Sequence, residues 1–257
     1  MLTMCLDHIG WFFLDDPMKL TWIGRIAFPV YAFLLADGFL HICRDQRRWN
    51  HHLAVLLILT VVSEPAYDLM DERLNFAHYL NSQSNMITLL LGYAGMGITE
   101  TFCPSAPATE ERRSGLRIPA LICTYMLLGF ANYMMKANFN IVGPLLVMAF
   151  YWFLRMPDGK RKGIGRVMRR FLILLSIFAV YLLVYFWVRS GFGGPDQWWM
   201  EVSRYAPWIA GHALAALILS FYNGELGYHQ KWFRRVYLTF YPVHAILIGL
   251  ICILLGR

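Results

Sequence analysis

The chain has 257 residues, 58% of them hydrophobic and 15% charged, with a mean hydropathy of +0.46. Soluble domains run closer to half apolar and a quarter charged, so the composition excludes an ordinary soluble fold and indicates a polytopic membrane protein. The formal net charge of +7 does not point to nucleic acid, because the basic residues are dispersed among loops between apolar runs and form no continuous stripe.

Windows of about 20 apolar residues are what a helix needs to cross the hydrocarbon. Nine candidates follow in order: 1–14, 20–42, 52–70, 85–103, 116–135, 138–154, 171–189, 206–222 and 236–255. The fold class expected is therefore all-α, a transmembrane bundle of nine to ten spans, with residues 1–257 forming one domain. The fifth and sixth windows are separated only by Lys136 and Ala137 and are expected to form a tight hairpin or a re-entrant pair. The first run starts at Met1, lacks a basic leading segment and carries an acid, so no cleavable leader is expected. Most Lys and Arg fall after the second, fourth, sixth and eighth spans, in groups such as Arg44, Arg47, Arg48 and Arg166, Arg169, Arg170. The positive-inside rule then puts the N-terminus in the cytoplasm.

The first two spans set the chemistry. They carry Asp7, His8, Arg25 and Asp37 among leucines, phenylalanines and alanines. An ionisable group at mid-membrane costs roughly 2.5–3.5 kcal/mol on insertion scales, so each must face a partner or a wet cavity. Asp7 and His8 are about 100° apart around a helix, and cannot both serve one function in one direction. Arg25 is the natural counter-ion of Asp7 or Glu64. With the N-terminus inside, Ser63, Glu64 and Asp68 end the third span, and Asn85 and Thr88 open the fourth, at similar depth. That defines an outer-half cluster, read either as a structural ion pair that keeps the first helices in register or as a reaction site. A second cluster, in the cytoplasmic half, comprises Asp37, Tyr222, Asn223, Gly224, Glu225, Tyr241 and His244, beside Arg234 and Arg235. Pro29, Pro65 and Pro242 lie within spans and free the carbonyls of Arg25, Val61 and Leu238.

Other chemistries lack their signatures. Five cysteines (Cys5, Cys43, Cys103, Cys123, Cys252) form no CxxC and indicate neither a disulfide framework nor a metal site. There is no GxGxxG, GxxxxGKS, GxSxG or HExxH.

The segments LDHIG, GRIAFPVYAFLLADGF, SEPAYDL and SNMITLLLG, with YNGELG and FYPVH near the C-terminus, together resemble the TraX family of membrane proteins. The likeness is densest over residues 6–92 and 221–244. It implies an integral acetyltransferase of the bacterial inner membrane, since the family's founding member acetylates the N-terminus of a conjugative pilin. The family is also distantly similar to heparan-glucosaminide N-acetyltransferase. By the same resemblance acetyl-CoA is the donor, reaching the bundle from the cytoplasm, and no metal takes part. The acceptor is an amine or hydroxyl of a protein N-terminus, a glycan or a small molecule. His8 would be the catalytic base, supported by Asp7, Arg25 and Glu64. Ser63, Asp68, Asn85, Thr88 and Asp37 would bind acceptor, and Tyr222, Asn223, Gly224, Arg234, Arg235, Tyr241 and His244 the donor. Two other classes fit the same charged spans: a proton-coupled transporter, or a non-catalytic subunit of a conjugation or export complex. Only the enzyme binds acetyl-CoA and releases CoA.

Overall fold

The computed structural model describes residues 1–16, 18–71, 82–103, 117–157, 163–225 and 230–255, without the side chains of 117, 231, 233–235, 237 and 238. Among these the chain folds into helices α1 (Leu2–Phe13), α2 (Met18–Gly24), α3 (Ala27–Ile42), α4 (Gln46–Asp71), α5 (Asn85–Phe102), α6 (Arg117–Met134), α7 (Val142–Arg155), α8 (Ile164–Arg189), α9 (Pro195–Arg204), α10 (Ala206–Ser220) and α11 (Lys231–Leu255). Helices are what the composition demands, since in hydrocarbon every backbone N–H and C=O must be satisfied within its own segment. Each of the nine apolar windows coincides with helix. Three stretches are long and apolar enough to cross a membrane: Met18–Ile42, Gln46–Asp71 and Ile164–Arg189. Ile118–Met134, Val142–Arg155, Ala206–Ser220 and Thr239–Leu255 are shorter apolar helices. Arg73, Arg112, Arg113, Lys160, Arg161 and Lys162, which contribute to the orientation argument, lie outside the described residues.

Two expectations change. The second window is not one uninterrupted helix: it breaks at Arg25 and Ile26. Pro29 has no N–H for the Arg25 carbonyl, and the Ile26 N–H turns to Ile23 O (3.2 Å), a tighter bond than the α-helical one. Arg25 therefore sits in a joint between two helices. Nor is the α6–α7 connection a two-residue hairpin. It takes residues 135–141, with Lys136, Phe139 and Asn140 all at positive φ. By contrast, Pro65 and Pro242 are accommodated inside continuous helices.

The chain groups into two compact units interleaved in sequence. Unit 1 is Met1–Tyr31, Val61–Asn81 and Asp158–Arg257; unit 2 is Ala32–Thr60 and Ser82–Pro157. In unit 1, α1 packs on α2 and α11, and α10 packs on α2 and α8. Glycines set how closely. A Cβ on Gly24 would meet Asp7 Cβ at 2.2 Å, and one on Gly211 would meet the Trp22 carbonyl oxygen at 2.1 Å. Only a hydrogen fits at either place, so α1, α2 and α10 meet nearly backbone to backbone around Arg25. A second seam joins Ala66, Tyr67 and Met70 of α4 to Ala245, Ile248 and Cys252 of α11, with Phe12 and Phe13 of α1 against it.

Unit 2 is held by α5, α6 and α7 packed on one another. Its core is aromatic: Phe39 is edge-on to Tyr93 and Tyr151, and Phe33 to Phe150. Gly92 lets Val147 seat against α5.

Candidate functional site

Unit 1 brings His8 and His244 together. His8 projects from the middle of α1 and His244 from the middle of α11, and His244 Nε2 lies 2.9 Å from His8 Nδ1. Both are buried, and their rings lie within 2° of parallel. The tautomers follow from the third partner. His244 Nδ1 is 2.8 Å from the Phe240 carbonyl oxygen, which can only accept, so Nδ1 carries the hydrogen. In the neutral ring Nε2 is then bare and accepts from His8 Nδ1–H. His8 is left with an unprotonated Nε2. The order Phe240 C=O, His244, His8 thus presents one basic nitrogen at its end, as an orienting partner does for an imidazole base.

This corrects the sequence reading, which put His8 in an outer cluster and His244 in a cytoplasmic one. α11 begins at Lys231, not near residue 236, so His244 falls midway along a 25-residue helix and not near its opening. α1 and α11 pack together, and the two rings meet at the same depth.

Asp7, next to His8 but turned away from it around α1, faces Arg25. Asp7 Oδ1 and Arg25 Nη2 are 3.4 Å apart, with the two side chains 16% and 13% exposed. That is an ion pair but not an aligned hydrogen bond, since Oδ1 and Arg25 Nε both lack hydrogen-bond partners among the described residues. The guanidinium carbon lies 3.8 Å over the Trp208 ring, a cation–π contact. Trp208 and His212, one turn apart on α10, escaped the sequence reading. A histidine inside an apolar span is the signal that selected His8, and WIAGH carried it too.

The other expected residues fall as follows. In unit 1, Glu64 is half-buried and Asp68 is buried on α4, while Ser63 Oγ is buried without a hydrogen-bond partner among the described residues. Tyr241 is buried and edge-on to His244 at 5.5 Å. Tyr222 O accepts from Arg170 Nη1, which ties the turn after α10 to α8. Asn223 and Glu225 are exposed and bond each other, Asn223 Nδ2 to Glu225 Oε2 at 2.9 Å, and Gly224 between them adopts φ +76°. The side chains of Arg234 and Arg235 lie outside the described residues.

Asn85, Thr88 and Asp37 belong to unit 2. The Thr88 hydroxyl lies 2.8 Å from Asn138 O and 3.0 Å from Asn132 Oδ1, and Asn132 Nδ2 donates to Asn140 O. The Thr88 O–H is thus committed to holding the α6–α7 turn. Asn85 Oδ1 is buried and lacks a hydrogen-bond partner among the described residues. Asp37 lies 3.7 Å from His41 Nδ1 on the next turn of α3. Unit 2 also holds a polar knot that the sequence reading passed over. Tyr151 Oη donates to Glu100 Oε2 at 2.5 Å, while Arg155 Nη1 donates to Tyr151 Oη (2.6 Å) and Cys103 O (2.8 Å). Those bonds join the ends of α5 and α7 and leave little capacity for a ligand. Among the described residues no group of three His, Cys, Asp or Glu side chains is placed to hold a metal ion.

Comparison with known proteins adds the context. The family model described as TraX protein matches residues 1–252. The chain is also 26% identical over 265 residues to the "Probable fimbrial assembly protein FimC, serogroup H1" of Dichelobacter nodosus, covering 98% of this chain and 90% of that one. No solved structure matches. A match that runs from the first helix through most of the last, and so includes both His8 and His244, shows that the chain belongs to the TraX family.

Proposed function

We propose that the protein is an acyltransferase of the bacterial cytoplasmic membrane. It crosses the bilayer about nine times from a cytoplasmic N-terminus and moves an acetyl group from cytoplasmic acetyl-CoA to an amine or hydroxyl. The observation that carries this reading is the bare Nε2 of His8, held by the bond from its Nδ1 to His244. Acyl transfer needs a base for the nucleophile and a positive or hydrogen-bonding group for the developing oxyanion. A neutral imidazole supplies the first and a buried guanidinium the second. Because a similar protein carries a fimbrial assembly name, an envelope protein with a free α-amine is the first acceptor to try.

The test uses purified protein in detergent, acetyl-CoA, and a short peptide with a free α-amine, followed by thiol release. The wild type should bind acetyl-CoA and release CoA only when acceptor is present. His8→Ala should keep donor binding and lose turnover by roughly 10²–10⁴-fold, the usual size of a general-base contribution. A wild type that neither binds acetyl-CoA nor releases CoA overturns the reading, as does His8→Ala at wild-type rate.

A further inference from the structure

Among the described residues, four buried polar atoms without hydrogen-bond partners fall on four residues that touch in series: Asp7 Oδ1, Arg25 Nε, Trp208 Nε1 and His212 Nε2. Asp7 is paired with Arg25, and Arg25 lies over Trp208. The Trp208 carbonyl accepts from His212 Nδ1 at 2.8 Å, so His212 Nε2 is the bare nitrogen of that ring. A buried donor left unsatisfied costs about 1–3 kcal/mol, so two donors and two acceptors on residues in contact ask for something that satisfies both kinds. The surroundings make the donors strong. Phe178 and Tyr181 pack on the His212 ring, and Tyr185 and Tyr205 on the Trp208 ring. Inside such an aromatic wall the local dielectric is low and a charge is weakly screened.

The two donors differ from an ordinary core pair. Arg25 Nε–H belongs to a permanent cation, and Trp208 Nε1–H to a side chain that can donate but never accept. The guanidinium carbon lies 3.8 Å from the centre of the indole ring, so the two N–H groups belong to side chains in direct contact. We infer that Arg25 Nε–H and Trp208 Nε1–H hold the thioester carbonyl oxygen during acyl transfer, which makes Trp208 a catalytic residue. The assignment rests on the acyltransferase reading above. In the step, the acceptor's lone pair attacks the carbonyl carbon while His8 Nε2 takes the acceptor's proton. The carbonyl π pair moves onto oxygen between the two donors. When it returns, the C–S bond breaks, and the CoA thiolate leaves with the proton that His8 gives back. The acceptor atoms Asp7 Oδ1 and His212 Nε2 meet the complementary need, a place for a remaining N–H or O–H of the nucleophile.

Trp208→Phe keeps an aromatic face for Arg25 and removes only the N–H and part of the ring. A second variant carries 3-benzothienylalanine at position 208, which has the indole shape without the N–H, and covers the case in which phenylalanine packs poorly. Both are compared with wild type for acetyl-CoA binding by calorimetry, and for kcat and KM by CoA release with the free-amine peptide. Loss of an oxyanion donor predicts a kcat lower by about 10²–10³-fold, with acetyl-CoA binding and KM changed by less than about threefold. A merely structural tryptophan predicts a lower melting temperature without that split. If wild type turns over and a folded variant stays within about threefold of its kcat, the donor assignment fails alone. If wild type releases no CoA, the acyltransferase reading fails and the assignment falls with it.

Discussion

His244 touches no reacting atom in this scheme, which makes it the sharpest place to test how His8 is held. Replacing it with leucine removes the nitrogen that accepts from His8 Nδ1–H at 2.9 Å. His8 is buried, so the orphaned N–H costs about 1–3 kcal/mol. The ring can escape that cost only by moving its hydrogen to Nε2, which abolishes the base, or by turning away. Either escape appears as a rate loss. At about 1.4 kcal/mol per decade the range corresponds to roughly five- to 150-fold in kcat. His244→Gln offers an amide oxygen as acceptor and should recover much of that loss. The assay is CoA release at saturating acetyl-CoA, with thermal unfolding in the same detergent as the control for packing. Two results would refute the reasoning: a leucine variant with wild-type kcat and melting temperature, or a glutamine variant that loses as much as leucine.

Two further predictions concern the frame around the site. Asp7→Asn leaves the Arg25 cation without its buried counter-charge and should cost about 3–5 kcal/mol, seen as a lower melting temperature and yield along with lost turnover; unchanged melting would show that Arg25 finds its stabilisation elsewhere. Cys43 and Cys103, at the ends of α3 and α5, should react with an impermeant thiol reagent in inside-out vesicles and not in intact cells, and strong labelling of Cys43 from outside would reverse the proposed orientation.

Much of this architecture can be read from hydropathy and cost alone. Nine apolar windows anticipate helices because a membrane permits little else, and Asp7, His8 and Arg25 stand out because charge there is expensive. The Asp7–Arg25 pair follows from the same reasoning, as neither group tolerates being alone. What hydropathy does not contain is helix length beyond the apolar window. The polar start of α11 at Lys231 shifted His244 to mid-helix, and that shift decides its partner. The helix break at Arg25 was half visible. Pro29 marks the freed carbonyl, but whether a proline bends a helix or interrupts it depends on the packing around it, as Pro65 and Pro242 illustrate. Trp208 was invisible because tryptophan in an apolar span is unremarkable until its N–H is found without a partner.

The direction of the hydrogens between the two histidines also bears on what kind of machine this is. A proton that lands on His8 Nε2 can be relayed inward by releasing the Nδ1 hydrogen to His244, but there the path stops. The far nitrogen of His244 already points its hydrogen at the Phe240 carbonyl, a group with no proton to pass on. The relay is a cul-de-sac, and whatever enters at His8 must leave at His8. Under the proposed acyl transfer, that suits a cycle in which one nitrogen borrows a proton from an incoming nucleophile and returns it to a departing thiolate.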